Sequence, residues 1–340
     1  MRARVASIAI LLVNIPHAAA CAGISIRAVE HVVYGASAAD LFRRPMGLAI
    51  DAERGVLVVA DTGNNRIVLF DASGRARGSM SWGSDDPGMP TGELRVVSID
   101  AQARLFVLDA LGNEIEVLNA AGSRLGLIEP DAPLIHDGSR PQSLAVGASG
   151  RLYVLYAGAT PGIVILNPDG STVQRLGFDA SGAGLLTSPT ALAVDAGEQR
   201  IAVADPLAAH QVRIFDVAGN SLTSFGPHGE GNGTFSVATF VCWGPASTLW
   251  VIDAVRHSIS VFDSDGRQLG LIGGFGRLPG QFYYPAACGF LARDRIVVLE
   301  RGTSRFQVLA LDLSLGDEPS TVRSTGSRTG EPSILISEGR

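Results

Sequence analysis

The sequence predicts an all-β protein built from one unit repeated six times and closed into a ring. Three observations carry this. A run of apolar residues ending in a polar one recurs along the chain, as VLVVAD at Asp61, RLFVLD at Asp109, RLYVLY at Tyr156, RIAVAD at Asp205, TLWVID at Asp253 and RIVVLE at Glu300, at spacings of 48, 47, 49, 48 and 47 residues. The composition, 46% hydrophobic with 41 glycines and only 18% charged residues, suits tight turns between apolar strands. No amphipathic helical stretch of useful length competes with that pattern.

Each element of the unit has its own signal. After the recurring run come a few turn residues and a second apolar strand, seen as RIVLFD, EIEVLN, GIVILN, VRIFD, SISVFD and FQVLALD. Upstream of most runs lies another strand, seen as MGLAID, RVVSID, QSLAVG and TALAVD. A fourth follows an Asp-x-x-Gly or Asn-x-x-Gly turn, as in GRARGSMSW, GSRLGLIE, GSTVQRLGF, GNSLTSFG and GRQLGLIGG. Four short strands in each of six units predict a six-bladed β-propeller. Only five fourth strands follow the six repeats. The missing one is expected at the other end, where SIRAVEHVVYG offers β-branched residues just before the first repeat, with residues of about 25 to 36 pairing beside Phe306. Such an exchange closes the ring and removes two open sheet edges. The propeller is expected to span 25–313. Residues 314–340 are too polar and turn-rich for a blade and are expected to be a disordered tail whose loss costs little.

The N-terminus predicts export. Arg2 and Arg4 precede an apolar run from Val5 to Val13, and Ala18, Ala19 and Ala20 follow, the layout of a signal peptide over 1–20 with a short tether at 21–24. The run is too short to span a bilayer. Cys21 directly after the alanines resembles the lipobox of bacterial lipoproteins, except that Ala18 stands where leucine is usual. That resemblance implies a lipid on Cys21 and an outer-membrane anchor, the alternative being an ordinary cut after Ala20. Cys242 and Cys288 lie in apolar strands and are expected to be buried free thiols, the alternative being a disulfide. The absence of any CxxCH excludes covalent c-type haem.

The order of proline, GLAID, strand, VAD, TGNNRI, strand and FDASG over residues 45–74 resembles an NHL repeat, and GGFGRLPGQFYYP at 273–285 is similar to the glycine-rich connector between such repeats. The resemblance runs from Ser25 to Leu313, strongest at repeats one, four and five and weakest at repeat three, where Tyr156 replaces the aspartate. It implies that the loop between the second and third strands and the connector between blades share one face, where function is to be sought. The segment DPLAAHQVRIFD also resembles the zinc-bearing loop of the peptidylglycine amidating lyases, which implies His210 as a ligand, with His257 in the equivalent place one blade on and His228 or His136 as a third. Lactonase-like propellers would bind calcium through scattered Glu, Asn and Asp.

The residues themselves favour no enzyme. An aspartate recurring at the end of one strand is expected to cap a turn, accepting hydrogen bonds from the backbone of the following loop, rather than to be a repeated catalyst. All 27 basic residues are arginine, so no lysine is available as a base or Schiff-base former. No G-x-S-x-G elbow, H-E-x-x-H or Walker loop occurs. The net charge of −6 argues against a nucleic-acid partner. The expectation is therefore a monomeric, non-catalytic scaffold without cofactor, anchored in the envelope through Cys21, binding a protein, peptide or glycan. Its binding face would carry Asn65, Arg66, Asn113, His210, His228, His257, Arg277 and Arg301, positions where the repeats differ. The competing expectation is a zinc- or calcium-dependent enzyme of the amidating-lyase or lactonase kind, using His210 and His257.

Overall fold

The computed structural model describes residues 23–82, 94–109, 114–130, 138–177 and 184–313. They form six four-stranded antiparallel sheets, one per repeat. Blade one consists of Gly47–Asp51, Val56–Asp61, Arg66–Asp71 and Ala76–Ser81. Blade four consists of Ala191–Val194, Arg200–Ala204, His210–Asp216 and Ser221–Pro227. Blade five follows with Ala238–Trp243, Leu249–Asp253, Ser258–Phe262 and Gln268–Gly273. The first strand of every blade touches that of the next, and the first strand of blade six touches that of blade one, so the ring is closed.

Blade six is assembled from both ends of the described chain. Pro285–Ala292, Arg295–Glu300 and Arg305–Leu313 supply three strands, and Ile24–Val33 adds the outermost. Its register runs from Ile24 opposite Leu313 to Val33 opposite Phe306. The strand begins at Ile24 and stops at Val33, short of the predicted position 36, because Gly35–Ser37 turns away to pair with Asp40–Leu41. The signal segment, Cys21, His136, Asn113 and the tail from 314 lie outside the described residues. No helix among the described residues is long and apolar enough to cross a membrane.

The core sits between blades. Second strands are buried along nearly their whole length, and the side chains of adjacent sheets interleave into shared clusters, such as Phe42, Phe70 and Phe306 where blade six meets blade one. Phe70 and Phe306 meet edge to face at 5.1 Å, which fixes the seam where the ring closes.

The recurring acidic residue is structural, and its partners correct one expectation. Asp61, Asp205, Asp253 and Glu300 are fully buried. The backbone donors they satisfy come mainly from the connector that leads into their own blade rather than from the loop that follows. Arg43 N–H donates to Asp61 at 2.7 Å, Thr187 and Ser188 both donate to Asp205 at 2.7 Å, and Tyr283 donates to Glu300 at 2.8 Å. Asp253 does both, accepting from Ser236 at 2.7 Å upstream and from Arg256 at 3.0 Å downstream. Each carboxylate therefore pins one inter-blade crossing, and desolvated amides that would otherwise be orphaned gain a charged acceptor.

Candidate docking face of blades four to six

Because successive strands of a blade alternate in direction, the loop between the second and third strands and the connector leaving the fourth emerge on the same side of the disc. Two connectors there are built alike. In GPHGEGNGTF and GGFGRLPGQF, Gly226 and Gly273 adopt φ of 75° and 81°, and a Cβ on either would run into the rings of Phe235 and Phe282. Those rings are fully buried, and isolated bridges pair His228 with Phe235 and Phe275 with Phe282. Phe275 is thus the counterpart of His228, and Arg277 that of Glu230.

The connector at 273–284 is held from below by a buried polar network. Arg305, wholly enclosed, ion-pairs with Glu300 at 2.6 Å and donates to the carbonyls of Arg277, Leu278 and Gln281 at 2.8, 3.2 and 2.9 Å. Gln307 donates to Gln281 O and to Glu300, while its own carbonyl accepts Gly280 N–H at 2.9 Å. Above this base the connector presents Phe275, 69% exposed, Leu278, 62% exposed, and Tyr284. Leu207 and Val255 occupy matching loop positions two residues after Asp205 and Asp253, and both are exposed.

The predicted face residues fall into two groups. The structure brings His257, Arg277 and Arg301 together around the tyrosines. The His257 ring stacks on Tyr283 at 5.5 Å and meets Phe275 at 5.1 Å and Tyr284 at 4.6 Å, and its Nδ1 accepts Tyr284 N–H at 2.9 Å. Arg277 lies over Tyr283 at 5.0 Å and Arg301 over Tyr284 at 5.5 Å, cation–π contacts that leave both charges at the surface. Of the rest, Asn65 and Arg66 are tied into the fold. Asn65 adopts φ of 50° and donates its amide to Trp82 O, while Arg66 is paired with both Asp61 and Asp40. His210 is exposed in an extended strand opposite Pro227, and His228 Nδ1 lies 3.0 Å from the Gln211 amide. His210 and His257 thus differ in exposure and backbone, one extended and open, the other left-handed and enclosed.

Among the described residues no three of His, Cys, Asp and Glu converge on a point that could hold a metal ion. On the opposite side of the disc, a cleft of about 310 Å³ between blades one and two is lined by Phe70, Ile99, Leu105, Arg54 and Arg77. Its two arginines are already paired, with Asp51 and Asp71.

Sequence reasoning named the arginines but missed Phe275, Leu278, Tyr284 and the base of Arg305 and Gln307. The signal was the alignment of the two connectors 47 residues apart, in which Phe275 and Tyr283 of the second stand where the first has His228 and Ser236.

The site has a pH signature. Burial, opposed by the charges of Asp253 and Glu300, holds the His257 imidazole below its ordinary value, so the native state takes up its proton less readily than the unfolded chain does. The unfolded chain takes up that proton below about pH 6.5, so this contribution to stability is present above pH 6.5 and lost as pH falls toward the native value. The hydroxyl of Ser73 on Asp71 and the amide of Asn220 on Asp216 hold those carboxyls below their usual range. Their contribution is present above about pH 4 and lost on further acidification. Thermal melts are expected to show two successive declines on acidification. The one that begins below about pH 6.5 should vanish in His257→Asn, since Asn accepts the left-handed backbone and occupies the matching position at Asn65. An unchanged profile in that variant would refute the assignment.

Comparison with known proteins follows this geometry. A family model described as the NHL repeat matches residues 42–70, the first three strands of blade one and the crossing that precedes them. No curated protein matches the chain by sequence. Among solved structures, a gluconolactonase from Xanthomonas campestris superposes with a TM-score of 0.61 at 20% identity, over 84% of this chain and 89% of that one. Virginiamycin B lyase from Staphylococcus aureus gives 0.55 at 13% identity, over 79% and 94%. Hydrazine synthase from Kuenenia stuttgartiensis gives 0.56 at 9% identity, over 79% and 96%. At such identities the likeness is one of fold. The chain is a six-bladed β-propeller that carries an NHL repeat in its first blade.

Proposed function

We propose that this protein is a non-catalytic binding scaffold that docks a partner polypeptide on the loop face of blades four to six. The carrying observation is the connector at 273–284, where exposed Phe275, Leu278 and Tyr284 sit with Arg277 and Arg301 over an immobilised base. Exposed apolar side chains gathered on one face mark interaction sites, and aromatic residues with arginine are the usual energetic centres of such surfaces. A base fixed by buried hydrogen bonds lowers the ordering cost of binding. Two arginines on a chain of net charge −6 favour an acidic segment bearing apolar side chains. The same reading places the protein in the cell envelope as a monomer, exported and anchored through a lipid on Cys21, with no nucleic-acid partner.

Selection of a displayed random peptide library against the purified protein tests this. The expected binders are acidic and apolar, and Phe275→Ser combined with Arg277→Glu is expected to weaken them at least tenfold. Binders indifferent to both changes would sink the proposal, and enrichment of glycans instead of peptides would reassign the partner. The likeness to a gluconolactonase keeps a metal-dependent enzyme as the rival reading. Stoichiometric zinc or calcium in the purified protein, lost in the His210→Ala, His257→Ala double variant, would establish that rival.

A further inference from the structure

Cys242 and Cys288 stand apart from the docking face. Cys242 lies in Ala238–Trp243 and Cys288 in Pro285–Ala292, the touching first strands of blades five and six. Both are free thiols, and their sulfurs approach to 2.6 Å. That is closer than unbonded sulfurs normally sit and about half an ångström from the ~2.05 Å of a covalent S–S bond. Cys288 is 4% exposed and belongs to the core cluster around Trp250 and Ile272, whereas Cys242 packs against that cluster and is only half-buried.

We propose that this pair is an oxidation site at which Cys242 and Cys288 join in a disulfide that staples blade five to blade six. The oxidant is a small-molecule disulfide. The more accessible Cys242, as its thiolate, attacks one sulfur of that molecule, forming a mixed disulfide and releasing one thiolate. The Cys288 sulfur then displaces the second thiolate from Cys242 and gives up its proton to it. Two cysteine thiols are oxidised, and one small disulfide is reduced to two thiols. Burial, together with the contact with Cys242, pushes the Cys288 thiol well up, so Cys288 is not the group that opens the exchange. The half-cysteines are 46 residues apart, so the bond would close a long loop of the unfolded chain.

The test uses the full chain incubated with oxidised glutathione, followed by peptide mapping without reduction. A cross-linked peptide containing Cys242 and Cys288 is expected, with a melting temperature on the order of 10 °C above that of the dithiothreitol-treated protein. In Cys288→Ser a glutathione adduct is expected to persist on Cys242, because no second thiol displaces it. Overturning results would be two thiols still alkylated separately after oxidation, or a stable glutathione adduct on Cys242 in the unaltered chain.

Discussion

Removal of residues 23–33 is expected to abolish cooperative folding of the propeller. The strand Ile24–Val33 is the outermost of blade six and lies along Arg305–Leu313 from end to end. Its Ile24, Ile26 and Val29 pack on the cluster that also holds Ile272, Phe282 and Leu311, so they bridge blades five and six. At roughly 1.5–3 kcal/mol for each apolar side chain taken from water, the loss approaches the whole ~5–15 kcal/mol by which a domain of this kind is stable. It also exposes an unpaired edge that invites aggregation. Arg27→Ala in the same strand is the control. Its guanidinium pairs with Asp294 at 3.0 Å and Asp312 at 3.7 Å, all about half exposed, so the cost should stay below about 1 kcal/mol. Calorimetry distinguishes the two, and a sharp melt in the truncated protein would show that the ring does not depend on this closure.

Glu300→Ala is expected to be the most damaging single substitution. The carboxylate is fully buried and accepts from Arg305 at 2.6 Å, Gln307 at 2.7 Å, Tyr283 N–H at 2.8 Å and Thr303 at 2.9 Å. Truncation leaves the wholly buried Arg305 charge without its counter-ion, which costs about 3–5 kcal/mol. Because Arg305 also holds the carbonyls of Arg277, Leu278 and Gln281, the connector should loosen, and peptides selected on the docking face should weaken along with stability. Denaturant titration measures the first effect and binding at a temperature where the variant is still folded measures the second. A loss below about 1 kcal/mol would mean that water reaches Arg305 and that the network does not brace the connector.

The repeat architecture was legible in the chain because it depends on local, periodic features. Alternating apolar residues, Asp-x-x-Gly or Asn-x-x-Gly turns and an acidic residue in five of the six units recur at a spacing that only a ring of similar sheets explains. Even the missing fourth strand could be located, since apolar β-branched residues stood before the first repeat, whereas the segment after the last was too polar and turn-rich for a blade strand. The partners of Asp61, Asp205 and Glu300 were less legible. A carboxylate at a strand end suggests the nearest amides in sequence, whereas the connector upstream is nearer in space and is the segment whose donors burial would otherwise orphan.

What the sequence by itself determined is the fold class, the number of blades, the strand that closes the ring and the side of the disc carrying irregular loops, because each follows from a pattern within one or two units. Only the tertiary structure decided how residues from different units meet. His210 and His257 look equivalent in sequence, yet one is open and the other enclosed by Phe275, Tyr283 and Tyr284. Arg66 looked available and is paired twice, while Cys242 and Cys288, 46 residues apart, touch. Such juxtapositions depend on the packing of neighbouring blades, where burial and charge pairing act between residues that no local periodicity relates.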